Sequence, residues 1–239
     1  MVKTVIMCGG RGLRLRPLTD EIPKPLVQIS GKPVLQHLLE SYVRKGFNEF
    51  VLCIGYRGQM IKDLFTNNLL DAEIEFSDAG EDAGILQRLH LAKDITGERF
   101  FVAYGDTLID IALEDMLGQH LASGASATIT AANVKSPFGL ITTDADCLVR
   151  SFEEKPMQMY FVGHMVMERS VLDDVDPKLL AMPDGDGLVE LFQVLISQTQ
   201  LNMYQYAGAQ ITFNTHRELH QAEQDFISFF THQEEDQCL

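Results

Sequence analysis

The chain has 239 residues, 46% of them hydrophobic, with 34 acidic against 19 basic side chains and a formal net charge of −15. Length and apolar content predict one domain with a substantial core, and the acidic balance argues against nucleic acid, which requires a broad basic face. No apolar run is long enough to span a bilayer. Four scattered cysteines, Cys8, Cys53, Cys147 and Cys238, form no Cys-x-x-Cys pair and point to reduced thiols. The apolar start meets arginines where a signal-peptide cleavage site would stand, so a cytoplasmic protein with no membrane partner is expected.

In chain order, Thr4 to Cys8 reads as a buried strand. Pro33 to Lys45 reads as a helix with proline at its first position, an apolar face from Val34 to Val43, and Gly46 as its stop. Phe50 to Ile54 is a strand, Gln59 to Phe65 a helix, Ile74 to Phe76 a strand and Ile85 to Lys93 a helix. A strand at Phe100 to Tyr104 precedes a helix at Ile111 to Ala122, with Asp110 as its cap and Gly124 as its end. This alternation predicts an α/β fold, a Rossmann-like, mostly parallel sheet with helices on both faces. Beyond Gly124 the pattern is mixed: strands at Ala127 to Val134, Gly139 to Thr142, Leu148 to Phe152, Tyr160 to Met167 and within Asn202 to Phe213, and helices at Gly187 to Gln198 and Arg217 to Phe229. Residues 1–123 suggest a nucleotide-binding half and 124–230 a half for a second substrate. The tail from Thr231 to Leu239 is polar and acidic and is expected to fray.

The densest chemical signal follows the first strand: Gly9-Gly10-Arg11-Gly12-Leu13-Arg14-Leu15-Arg16-Pro17-Leu18-Thr19, then Pro23-Lys24-Pro25-Leu26. Glycines at a strand tip expose N–H groups to phosphate, and cations in the same loop supply charge. Residues 1–32 carry six cations against two carboxylates, a basic loop on an acidic body, which suits a small anionic ligand. The stretch is not a P-loop, because no Gly-Lys-Ser/Thr occurs. It is not a dinucleotide fingerprint either, because Leu15 stands where the third glycine belongs. The same residues would also be tolerated as solvated surface. A carboxylate ending a strand, as Asp106 does after Phe100 to Tyr104, is placed to hold Mg²⁺ beside a triphosphate or to cap a helix.

The motif Gly-Gly-x-Gly-x-Arg-Leu-x-Pro-Leu-Thr with Pro-Lys-Pro-Leu-Val resembles the signature of the sugar-phosphate nucleotidylyltransferases. Weaker similarity continues at Gly31-Lys32-Pro33, Gly55-Tyr56, Tyr104-Gly105-Asp106, Phe138-Gly139 and Phe152-Glu153-Glu154-Lys155-Pro156. The resemblance implies a Mg²⁺-assisted transfer of a nucleotidyl group from an NTP to a sugar 1-phosphate, giving an NDP-sugar and pyrophosphate. It gives Arg14 and Lys24 as catalytic cations. Gly9, Gly10, Arg11, Gly12, Asp82, Gly84 and Gly105 become nucleotide contacts, and Gly139, Glu154 and Lys155 the sugar-phosphate contacts. Metal ligation falls to Asp106 and Asn214, where Asn214 stands in the place of the family's usual aspartate. Arg16 is expected to brace the loop. The segment Asp78 to Gly84, followed by a helix carrying Arg88, is nearest to the cytidylyltransferase pattern and slightly favours CTP. Val162-Gly163-His164 departs from the family's Asn-Gly or Asn-Ala, with His164 either a substrate contact or a core histidine. Self-association into a homo-oligomer is compatible with all of this. The departures at Asn214 and Val162 also allow a catalytically weak nucleotide or sugar-nucleotide sensor of the same fold.

Overall fold

The computed structural model describes residues 2–66 and 70–236; the final three residues of the acidic tail lie outside the described residues. Its centre is a seven-stranded sheet in the order β12-β8-β11-β6-β1-β4-β5. These strands are β1 (Thr4–Met7), β4 (Glu49–Ile54), β5 (Glu73–Asp78), β6 (Arg99–Tyr104), β8 (Ala127–Lys135), β11 (Met157–Glu168) and β12 (Leu201–Tyr206). Pairings β1–β4, β1–β6, β4–β5 and β8–β12 are parallel, and β11 alone runs against its neighbours β6 and β8. The sheet takes strands from both halves of the chain, so the mixed pattern after Gly124 extends the first half's sheet.

Both faces are covered, which is why the central strands are near-continuous apolar runs. Ile6, Phe50, Leu52, Phe101 and Ala103 face a core with α1 (Val34–Arg44), α2 (Gly58–Phe65), α4 (Leu113–Ser123) and α8 (His216–Asp236). The alternate residues Val5, Val51, Phe100 and Val102 face α3 (Ile85–Thr96), α5 (Ser170–Asp173) and α7 (Asp186–Ser197). The period of two along each strand splits the residues between two cores. Truncating a fully buried leucine such as Leu38 or Leu39 to alanine would cost about 2–5 kcal/mol.

Several expectations are corrected. The helix predicted from Ile111 begins at Leu113, its N-cap is Ala112, and Asp110 is not the cap. Asp110 instead meets the Lys45 ammonium at 2.6 Å, and its N–H donates to the Tyr206 hydroxyl. The residues just before α4 are drawn into a short strand, β7 (Thr107–Ile109), paired antiparallel with β13 (Gln210–Thr212). Two more short ribbons complete the strands: β2 (Gln28–Ile29) with β3 (Lys32–Pro33), and β9 (Leu140–Thr143) with β10 (Val149–Glu153). The one-turn helices α5 and α6 (Pro177–Leu180) carry too little periodicity to be read in advance. The tail expected to fray from Thr231 continues helix α8 to Asp236.

Candidate active site

Strand β1 ends beneath the glycine loop, at the carboxyl edge of the parallel sheet, where open α/β sheets bind ligands. A cavity of about 660 Å³ opens there, lined by Gly9 to Leu15, Lys24, Asp106 and Asn214. Its far wall is Glu81 to Ala83, Ile85 and residues 183–185.

The glycine loop is shaped by close approaches. A Cβ on Gly9 would fall 2.2 Å from the Arg88 guanidinium, so only glycine fits. Arg88 is buried and donates to the carbonyls of Ile54 (2.5 Å), Gly9 (3.2 Å) and Glu81 (3.4 Å). Its charge is spent tying the ends of β1 and β4 to the loop before α3, and the Gly9 carbonyl also accepts from the Tyr56 N–H at 3.1 Å. Gly10 has open space around it. Gly12 takes the left-handed conformation at φ 60°, and its carbonyl accepts from the Thr19 hydroxyl at 2.9 Å. The chain then winds through three short 3₁₀ turns, Leu13–Leu15, Leu18–Asp20 and Lys24–Leu26, with Leu15 fully buried as the anchor. Those turns, rather than one loop, fill the distance to α1.

The four cations of this segment have different fates. Arg14 is exposed on the cavity wall with no protein hydrogen bond or ion pair among the described residues. Arg11 meets Glu81 at 2.9 Å and Asp82 at 3.0 Å and lies over the Tyr56 ring. The Asp82 hydrogen bond raises its already high pKa. Arg16 pairs with Asp20 at 3.0 Å, a brace within the loop as expected. Lys24 is buried, its Nζ lying 2.5 Å from Asp106 Oδ2, 3.1 Å from Asn214 Oδ1 and 5.2 Å from the centre of the Phe213 ring.

Distant segments build that last cluster. Asp106 lies two residues past the end of β6, and Asn214 two residues past the end of β13. The β7–β13 ribbon, with Thr107 opposite Thr212, holds them side by side. The Asn214 N–H donates to the Glu218 carboxylate at 2.6 Å, while the Glu218 N–H donates to the Thr215 hydroxyl, so the start of α8 fixes Asn214 in place. Two hard oxygens thus converge on one cation, the Lys24 ammonium, and that donor set suits Mg²⁺. The pair carries one formal charge rather than two. Among the described residues no group of three or more His, Cys, Asp or Glu side chains could hold a metal ion.

Other predicted residues fall elsewhere. Gly84 caps α3 outside the cavity lining, where a Cβ would meet the Met182 carbonyl at 2.5 Å. Gly105 fits between strand ends, with a would-be Cβ 2.9 Å from Cys8 Sγ. For both, close packing against protein explains the glycine. Gly139, Glu154 and Lys155 are not in the cavity lining either. They lie at the β9–β10 ribbon, with Lys155 and Glu154 exposed and 3.9 Å apart. His164 is buried on β11, with Nδ1 3.4 Å from the Val162 carbonyl and Nε2 without a partner among the described residues. Burial pushes its pKa down to about 4, so it is a neutral core histidine. Burial also raises the Cys8 thiol well above its usual pKa and Cys53 to about 12, and neither is poised as a thiolate.

Two lining features were not anticipated: Tyr104 and the Pro183-Asp184-Gly185 turn. The last was visible as a turn signal ahead of an apolar helix, but nothing local places it opposite a loop 170 residues earlier.

The nucleotidyl transferase family profile matches residues 3–177. Over 244 aligned positions the chain is 34% identical to the probable glucose-1-phosphate cytidylyltransferase of Bacillus subtilis, covering 91% of this chain and 93% of that one. It is 33% identical to the glucose-1-phosphate cytidylyltransferase of Salmonella typhi, covering 73% and 78%. It is also 30% identical to the mannose-1-phosphate guanyltransferase of Schizosaccharomyces pombe, covering 87% of this chain but 59% of that longer relative. HddC from Yersinia pseudotuberculosis, complexed with GMP-PN, has the same fold at a TM-score of 0.73 and 22% identity, covering 95% and 100%. Among the described residues, no helix is long and apolar enough to cross a membrane.

Proposed function

The chain belongs to the nucleotidyl transferase family, and from that premise we propose that it joins an NTP to a sugar 1-phosphate, releasing pyrophosphate and an NDP-sugar. The observation that carries this is the cluster at the carboxyl edge of the sheet. An unengaged arginine, a buried lysine and open glycine amides face one cavity together with a carboxylate–amide pair of oxygens. Residues 1–123 take the nucleotide and residues 124–230 the acceptor.

A phosphate oxygen of the sugar phosphate attacks the α-phosphorus in line, the bond from that phosphorus to the bridging oxygen breaks, and pyrophosphate leaves. The attacker is already an anion, so no general base is needed. The work is holding two anions together and offsetting the charge that builds between them. Arg14 offers a two-pronged grip on phosphate oxygens, and the Gly9–Gly12 amides cradle the leaving phosphates. Lys24, a compact point charge, moves from Asp106 to the α-phosphate and acceptor phosphate. Arg11, held by Glu81 and Asp82, keeps the loop against the base-side wall. Asp106 and Asn214 would hold Mg²⁺, which when bound supplies charge neutralisation on the phosphates. Glu154 and Lys155 are proposed for the acceptor.

CTP is favoured slightly, because the Bacillus and Salmonella relatives are named cytidylyltransferases. GTP is the next candidate, given the mannose-1-phosphate relatives. The test is pyrophosphate release across CTP, dTTP, UTP, GTP and ATP with glucose and mannose 1-phosphates and Mg²⁺. Release requiring both substrates supports the proposal. Asn214 favours one rival, a nucleotide or sugar-nucleotide sensor with weak catalysis. Tight nucleotide binding with no turnover on any pair would select that rival, and triphosphate hydrolysis without an acceptor would contradict both.

A further inference from the structure

The glycine loop has few holds on the core: between Gly10 and Ile22 only Leu15 and Thr19 are buried. Ordering such a segment around a ligand costs conformational entropy at the moment of binding, unless a group outside the loop has already fixed it. Tyr56, two residues past the end of β4, reaches the loop at three places. Its N–H donates to the Gly9 carbonyl at 3.1 Å. Its hydroxyl donates to the Thr19 carbonyl at 2.9 Å, and the Thr19 hydroxyl in turn donates to the Gly12 carbonyl. Its ring lies beneath the Arg11 guanidinium, 5.4 Å from carbon to centroid. The corner that carries Tyr56 is itself tightly held. A Cβ on Gly55 would fall 2.4 Å from Arg88 Nη1 and 2.5 Å from the Gly80 carbonyl oxygen. Arg57 takes the left-handed conformation at φ 49°. Its Nε donates to the Tyr56 hydroxyl at 3.1 Å, and its Nη2 donates to the Asp20 carbonyl. The hydroxyl therefore has both a donor and an acceptor partner.

We propose that Tyr56 is a positioning residue: it presets the curve of the chain from Gly9 to Thr19, so that the glycine amides and Arg14 meet the phosphates already in place. This rests on the reading of the loop as the triphosphate site. Tyr56 lies outside the cavity lining, so it acts through the loop and touches no substrate. Its effect is confined to nucleotide binding. Once bound, the phosphates hold the loop themselves, and the benefit is equal in the ground and transition states.

The test is the pair Tyr56→Phe and Tyr56→Leu. The first keeps the ring and its stacking and removes only the two hydroxyl bonds; the second removes the ring as well. In the ligand-free full chain, amide hydrogen exchange over residues 10–20 should speed up about three- to tenfold in Tyr56→Phe, the change that one lost hydrogen bond corresponds to. It should speed up further in Tyr56→Leu, with the amides of α1 unchanged in both. KM for the NTP should rise by the same factor, while kcat and the KM for the sugar phosphate stay within about twofold of wild type. Wild-type exchange over residues 10–20 in Tyr56→Phe, or an unchanged KM for the NTP, overturns the proposal. So does a kcat that falls, or two KM values that rise together, as a general loosening of the fold would produce. Should Tyr56→Leu fail to fold, Tyr56→Phe decides alone. Exchange is read without substrate, so a chain inactive on every substrate pair defeats the transfer proposal and leaves this one to be decided separately.

Discussion

Lys24 and Asp106, 82 residues apart in sequence, meet at 2.5 Å on the floor of the cavity, and Asn214 accepts a second bond from the same ammonium. The lysine therefore occupies the space between the two oxygens that are proposed to hold the metal ion. On the proposed reading, a Mg²⁺–triphosphate would give the oxygens a divalent partner and the ammonium an anionic one. The exchange keeps every charge compensated, which a buried ion pair requires.

The first prediction concerns that exchange. Lys24→Ala should lower kcat by about 10²–10³-fold, the size expected for one preorganised charge in a water-poor site. Nucleotide affinity, measured by titration, should fall by less than roughly tenfold, because Arg14 and the amides remain. A kcat within about threefold of wild type would remove Lys24 from the mechanism.

Asn214→Asp adds a second carboxylate 3.1 Å from the lysine's position. The extra charge should lower the half-saturating Mg²⁺ concentration roughly tenfold. Initial rates against Mg²⁺ measure this. An unchanged Mg²⁺ dependence means that residue 214 does not touch the metal.

Neighbouring glycines should behave in opposite ways. Gly9→Ala drives a methyl group into the anchored Arg88 guanidinium and should cost about 1–3 kcal/mol, lowering Tm by several degrees. Gly10→Ala meets no atom within 4 Å and should leave stability within about 0.5 kcal/mol while weakening nucleotide binding. Equal Tm losses in both variants would contradict the close approach to Arg88 as the cause.

Much of the site was legible, for a reason that the loop itself illustrates. Gly9 to Lys24 is one continuous stretch whose spacing reflects local geometry, so its residues could be named from sequence. Asp106 was legible as the residue ending an apolar strand, and Asn214 from the threonine and helix behind it. What escaped depends on contacts remote in sequence. Arg11's two carboxylates lie 70 and 71 residues on, and the backbone carbonyls of Ile54 and Gly9 that Arg88 serves lie 34 and 79 residues back. The β7–β13 pairing that displaced Asp110 from its predicted cap joins residues about 100 apart. In the sheet, apolar runs revealed the strands, but the single antiparallel strand β11 has no local mark, since strands buried on both faces look alike in either direction.

His164 gives a pH prediction. Burial holds its pKa near 4 in the folded protein, with the Val162 carbonyl and Asp106 acting upward and Lys45 downward. In the unfolded chain it titrates near 6.5. Above about pH 6.5 it is neutral in both states and contributes no slope. Between 6.5 and 4 only the unfolded state takes up the proton, so stability falls as pH drops. From pH 7 to pH 5 the wild type should lose about 2 kcal/mol more than His164→Leu in urea unfolding. Parallel losses would show that His164 is protonated in the fold.

The most direct measurement is a crystal structure with a non-hydrolysable CTP analogue and Mg²⁺. The account predicts triphosphate density along Gly9 to Gly12 and Arg14, with the Lys24 ammonium withdrawn from Asp106 toward the α-phosphate. Nucleotide bound elsewhere, with Lys24 still on Asp106 and Arg14 facing solvent, would contradict it.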